Sequence, residues 1–268
     1  MAGPRYRGRL GGLLLAGLLL CGFATVAAQR YAFFEPVPDR AHYDGRFTFA
    51  RLKYESGPGG YYYRGVPAWA HGFANTENGV SAEHQLMMIV NEISAMHPRM
   101  DETNVFALDD PELFKFPVAY MTEAGYWTLT DREALSFREY LKKGGFVIFD
   151  DFRDPPRGGG GWEQFEANME RILPNARIED LDVSHPIFHS FFQIFTLDLI
   201  PQYYDAGRPI IRGIYEDNDH TKRLMAVINF NTDISHFWEY SGTGMAPVAK
   251  SNEAFELGVD YLIYGLTH

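Results

Sequence analysis

The chain reads as a three-layer α/β sandwich around a mostly parallel sheet, and three observations predict it. Helical and strand-like patterns alternate through residues 80–180, and such alternation places helices on both faces of a parallel sheet. The run Phe146-Val147-Ile148-Phe149 holds no polar residue, as expected of a central strand covered on both sides. With 46% apolar and 15% aromatic residues in 268, the chain can bury one substantial core.

Residues 1–28 place Arg5, Arg7 and Arg9 before a Leu-rich run that ends in Val26-Ala27-Ala28. This pattern predicts a secretory signal cleaved after Ala28, with an uncleaved amino-terminal anchor as the alternative. Cys21 follows Leu18-Leu19-Leu20 rather than a small residue, which argues against a lipoprotein site. Residues 29–46, with Pro36, Pro38, Asp39, Asp44 and Gly45, predict an extended lead-in, and residues 47–268 a single domain.

Within that domain, FTFARLKY (47–54) alternates as a strand does. An aromatic loop follows, and Ala82, Leu86, Ile89, Val90, Ile93 and Met96 then recur at helical spacing up to Pro98. TNVFALDD and FPVAYMTE predict two strands. In LTDREALSFREYLKKGG, Thr130 and Glu133 form a capping box, Ala134, Phe137, Tyr140 and Leu141 an apolar stripe, and Gly144 a stop. FVIFDD is the next strand, WEQFEANMERILP a helix and ARIEDLD a further strand. RPIIRGIYED and RLMAVINFN predict two strands joined by a charged turn, and SNEAFELGVDYLIYGLTH a closing helix.

Composition also excludes functions. Cys21 is the only cysteine and lies in the leader, so the exported part has neither disulfide nor thiol nucleophile. The formal charge is −11 and becomes −14 once the leader's three arginines are removed from 24 bases set against 35 acids. Such a surface repels phosphate backbones, so no nucleic-acid partner is expected. Membrane contact is expected only through residues 1–28, if they are retained.

The runs FPVAYMTEAGYWTLTDREALSFREYLKKGGFVIFDDF and ILPNARIEDLDVSHPIFHSFF resemble a bacterial family known as domain of unknown function 4159, over residues 47–268. LKKGGFVIFDDF and SHPIF are the motifs that carry the resemblance most strongly. It implies an exported or membrane-associated protein with a flavodoxin-like, doubly wound sheet of the class I glutamine-amidotransferase type, and it implies no activity. Catalytic members of that fold keep a cysteine on a sharp turn after a central strand. Here the matching junction carries Asp150 and Asp151, and a carboxylate is a poor substitute for a thiolate in attacking an amide.

Ligands of open α/β sheets collect at the carboxyl ends of the strands, where Asp150, Asp151 and Asp154 fall. Adjacent carboxylates there can hold a hard cation, share a proton, or cap a turn neutralised by Arg153 and Arg157. Because strand residues alternate faces, at most one of Asp150 and Asp151 is expected to enter a given pocket. His185 and His189 are spaced for one helical face but suit capping and packing around Pro186 better. If a divalent metal binds, the expected ligands are Asp150, Asp151 and His185; no other cofactor is expected. The tetraglycine at 158–161 lacks a following GK[ST] and predicts flexibility rather than phosphate binding. Tyr62 and Trp69, in a loop with Tyr61, Tyr63, His71 and Phe73, can build a platform for a sugar or peptide, or cover the sheet as core. The functional expectation is an exported periplasmic or extracellular domain that recognises an envelope protein, peptide or glycan without turnover. The alternative is a metal-assisted hydrolase acting through the strand-end aspartates and a histidine.

Overall fold

Seven strands form the central sheet of the computed structural model, which describes residues 43–61, 65–73, 81–100, 103–152, 161–201, 203 and 207–268. In chain order the strands are β1 (Phe49–Lys53), β2 (Glu55–Ser56), β3 (Thr103–Ala107), β4 (Val118–Thr122), β5 (Trp127–Thr128), β6 (Phe146–Phe152), β7 (Glu179–Asp180), β8 (Ile210–Tyr215) and β9 (Leu224–Phe230). β2 and β5 pair separately as a short antiparallel ribbon. The large sheet has the order β3-β1-β4-β6-β9-β8-β7, and its first five strands are parallel. That parallel part follows the flavodoxin-like order 2-1-3-4-5. β8 and β7 then add an antiparallel edge.

The helices are α1 (Ala82–Ile93), α2 (Asp131–Lys142), α3 (Trp162–Ile172), α4 (Ile234–Glu239) and α5 (Val248–Thr267). Alternation along the strands sorts the core into two halves. Leu52, Met121, Phe149 and Ile228 pack with Phe137 of α2 and Phe165 of α3. Phe49, Tyr120, Ile148 and Val227 pack with Leu86 of α1, Trp238 of α4 and Leu262 of α5. The result is a helix, sheet and helix sandwich whose central strand β6 is buried along its whole length.

Local chemistry sets the element ends. α1 starts at Ser81, whose hydroxyl accepts from His84 N, and stops at Ser94, short of Pro98. Thr130 and Glu133 close the capping box of α2. The strand expected around ARIEDLD is only the two residues of β7, and SHPIF forms a 3-10 turn, Pro186–Phe188, capped by the His185 ring. Among the described residues no helix is long and apolar enough to cross a membrane.

Candidate metal centre

The carboxyl ends of β4, β6 and β9 meet beside the switch point of the sheet, where β1 and β4 lie side by side and the chain leaves them in opposite directions. Each of the three ends carries a non-glycine residue at positive φ: Glu123 (52°), Asp151 (61°) and Asn231 (59°). Left-handed backbone at such residues is uncommon, and strain of this kind collects at functional sites. At β6 the cause is visible in the pairing. Phe149 faces Ile228 and Phe152 faces Phe230, so β6 holds one extra residue against β9, a β-bulge at Asp150-Asp151.

The bulge turns the two aspartates apart. Asp150 Oδ2 accepts from Tyr120 Oη (2.9 Å) and Ser235 N (3.1 Å), and Oδ1 accepts from Asn229 Nδ2 (2.9 Å) and Ile234 N (3.3 Å). Burial, together with the charge of Asp151, pushes its carboxyl up to about 6 against those donors. Asp150 therefore ties β4, β9 and the first turn of α4 together, and its oxygens are committed to protein donors.

Asp151 points to the loop after β1. Its Oδ2 accepts from His71 Nδ1 at 2.9 Å, and Glu123 Oε1 lies 3.6 Å from the same nitrogen. Asp233 completes the cluster from the turn after β9. One imidazole nitrogen of His71 and one carboxylate oxygen each of Asp151 and Asp233 lie within 4.8 Å of one another. Asp233 Oδ1 caps α4, accepting from His236 N and Ser235 Oγ at 2.8 Å each. Its Oδ2 is buried and meets no hydrogen-bond donor among the described residues.

Burial and mutual charge set the protonation of the cluster. Asp151 and Asp233 have no solvent exposure, and burial, then the charges of Asp151 and Asp150, hold the Asp233 carboxyl well above the usual range. Burial disfavours charge on the His71 ring, but its hydrogen bond to Asp151 and the charges of Asp151, Asp233 and Glu123 outweigh this and raise its pKa to about 10. The raised values keep protons on His71 and Asp233, and a divalent cation would bind by displacing them from the same atoms. One nitrogen and two oxygens are a donor set for a divalent transition ion such as Zn2+ or Mn2+.

The structure revises the expected ligand set. Asp151 lies in the cluster with His71 and Asp233, while Asp150 braces β4, β9 and α4. His185 is excluded by topology: its ring packs on Tyr215 and Tyr264, beside Leu224 and Phe146 at the opposite ends of β9 and β6. About 16 Å of strand separates Phe146 from Asp151 at roughly 3.3 Å per residue. The His185 Nδ1 instead accepts from Ile187 N at 3.1 Å, and His189 Nε2 bonds Val183 O at 2.9 Å. Trp69 is a core residue, 7% exposed, and not a platform. Tyr62 and Asp154 lie outside the described residues. Gly161, last of the four glycines, has φ +84° and caps α3 against Gly125, so close packing rather than flexibility explains it.

The profile of the family described as Domain of unknown function (DUF4159) matches residues 48–266. The chain belongs to this family. The match spans every strand of the sheet and the whole His71, Asp151 and Asp233 cluster. No curated protein matches the chain. The family's description names no activity, so the function must be argued from the site itself.

Two of the three residues of the cluster, His71 and Asp233, are not singled out as site residues by the sequence. Asp233 was findable, because the strand-end rule that singled out Asp150 and Asp151 applies equally to the NTD that follows RLMAVINF. In the sequence His71 stands out only as one flat ring of an aromatic loop. The signal that could have marked it is its place in the loop after the first strand of a doubly wound sheet, next to the switch point.

Proposed function

We propose that this domain binds a divalent transition-metal ion through His71, Asp151 and Asp233 and uses it to activate water against a bond in an envelope substrate. The carrying observation is the buried Asp233 Oδ2, without a donor among the described residues, in a three-residue cluster whose candidate ligand atoms lie within 4.8 Å of one another. Three protein ligands leave coordination positions open, the pattern of catalytic rather than structural sites. The His71 side chain is 36% exposed and is the opening of an otherwise buried cluster. When bound, the ion would supply an activated water for an acyl or glycosidic centre, and Glu123, whose Oε1 lies 3.6 Å from His71 Nδ1, would stand beside it as a proton acceptor. The leader-like residues 1–28 support export to the periplasm or cell exterior as the setting, and an envelope peptide or glycan as the substrate class. The amidotransferase-like scaffold is part of the same proposal, with strand-end carboxylates standing where catalytic members of that fold keep a cysteine.

A second reading keeps the ion and drops the turnover. Because Asp151 and Asp233 are wholly buried, an ion there can also lock the strand ends of a recognition module. Titration calorimetry of the EDTA-treated protein with Zn2+ and Mn2+ tests the shared claim. One saturable site is expected, lost in His71→Ala, with a rise in Tm of about 5–10 °C at a hundredfold excess over Kd. No saturable binding refutes both readings. Hydrolysis of 4-nitrophenyl acetate by the loaded wild type, above that of loaded His71→Ala, separates the hydrolase from the recognition module.

A further inference from the structure

We infer that Arg51 is a positioning residue of the metal centre, acting through the backbone of the loop that carries His71; the inference rests on the cluster proposed above. Arg51 lies within β1 and is completely buried, at a position whose neighbour on the same face is Phe49. A guanidinium there is costly to desolvate, and an apolar side chain would satisfy a purely packing role. What the guanidinium does is specific. Its Nε pairs with Glu83 in the first turn of α1. Its Nη1 donates to Trp69 O and to His71 O, both at 2.8 Å.

Those two carbonyls bracket Ala70 at the end of the 3-10 turn Ala68–Ala70, so holding both fixes where the His71 Cα stands. The guanidinium is itself held in place, with its carbon 5.5 Å from the centre of the Phe73 ring and 5.1 Å from that of Tyr120. Tyr120 in turn donates to Asp150 at the bulge. One planar cation thereby sets the separation between the loop bearing His71 and the strand end bearing Asp151. A lysine retains the charge but cannot present a rigid fork to a carboxylate and two carbonyls together.

Arg51→Lys and Zn2+ titration test this. We expect Zn2+ affinity to fall about 10- to 100-fold, the range for partners that orient a metal ligand without touching the metal. Phe165→Leu, in the core on the other face of the sheet, is the control for general destabilisation and should lower Tm while leaving affinity unchanged. Arg51→Lys binding Zn2+ as tightly as wild type overturns the inference. Should Arg51→Lys not fold, Glu83→Gln loosens the same guanidinium and must also weaken Zn2+ binding; unchanged affinity there counts equally against it. If the wild type takes up no Zn2+, the reading of the centre fails separately, and the ion-free crystal structure of Arg51→Lys decides the role of Arg51. The 2.9 Å contact between His71 Nδ1 and Asp151 must then open; its persistence refutes positioning.

Discussion

Asp233 serves two purposes with one carboxylate. Its Oδ1 caps α4 through His236 N and Ser235 Oγ, while Oδ2 is buried and meets no donor among the described residues. Asn at this position keeps the capping oxygen and replaces the orphan acceptor by an amide that can donate to a neighbouring carboxylate. Asp233→Asn should therefore raise the Tm of the ion-free protein by about 2–4 °C, the shift that 1 kcal/mol gives a chain of this size, and abolish tight Zn2+ binding. Thermal unfolding with and without Zn2+ checks both halves. A lower ion-free Tm with Zn2+ binding intact would show that Asp233 is only a cap. At this scale the sequence exposed Asp151, because an acid directly after an apolar run is a strand-end signal in its own right. It could not expose the pairing of Asp151 with His71, which lies 80 residues earlier, because only the folded sheet brings those loops together.

Among the elements, the α2 capping box and the buried run of β6 were legible because each depends on residues within one turn or one strand. α4 was not legible: six residues, Ile234–Glu239, are too few to show a helical period, and the helix is held by the Asp233 cap and by Asp150. The β6 bulge was hidden for a related reason, since an extra residue shows only against its partner strand. Gly161 is the clearest element-scale test. A Cβ there would lie 2.1 Å from Gly125 Cα, whereas one at Gly144, also at positive φ, meets nothing within 4 Å. Gly161→Ala must push α3 off the turn after β4, and should cost more than the 1 kcal/mol or so of backbone strain expected at Gly144→Ala. Urea unfolding of the two variants measures the difference, and equal losses would mean that α3 is not docked by this contact.

Across the whole molecule, buried carboxylates govern how stability responds to pH. Burial pushes Asp260 up to about 6 from 3.8, although its Oδ1 accepts from Phe191 N and Phe192 N at 2.8 Å each. A folded-state value above the unfolded one contributes stability that is present below the unfolded pKa and is lost as pH rises towards the folded one. The stability contributed by Asp260 should thus decline between about pH 4 and about pH 6. Asp260→Asn removes that dependence, so its Tm should gain on wild type by about 2–4 °C per kcal/mol across this interval. Parallel Tm curves would show that Asp260 titrates normally. Asp260 lies on α5 and is not part of the His71, Asp151 and Asp233 cluster, so the Asp260→Asn effect can be read on the ion-free protein.

The proposed metal centre requires that the strand ends be organised around a cation. Anomalous diffraction at the zinc edge, from crystals of the EDTA-treated protein soaked in Zn2+, tests it most directly. A peak is expected about 2.0–2.2 Å from a His71 nitrogen and from carboxylate oxygens of Asp151 and Asp233. A saturating soak that leaves these three side chains without a peak, or places the ion on other residues, would contradict it.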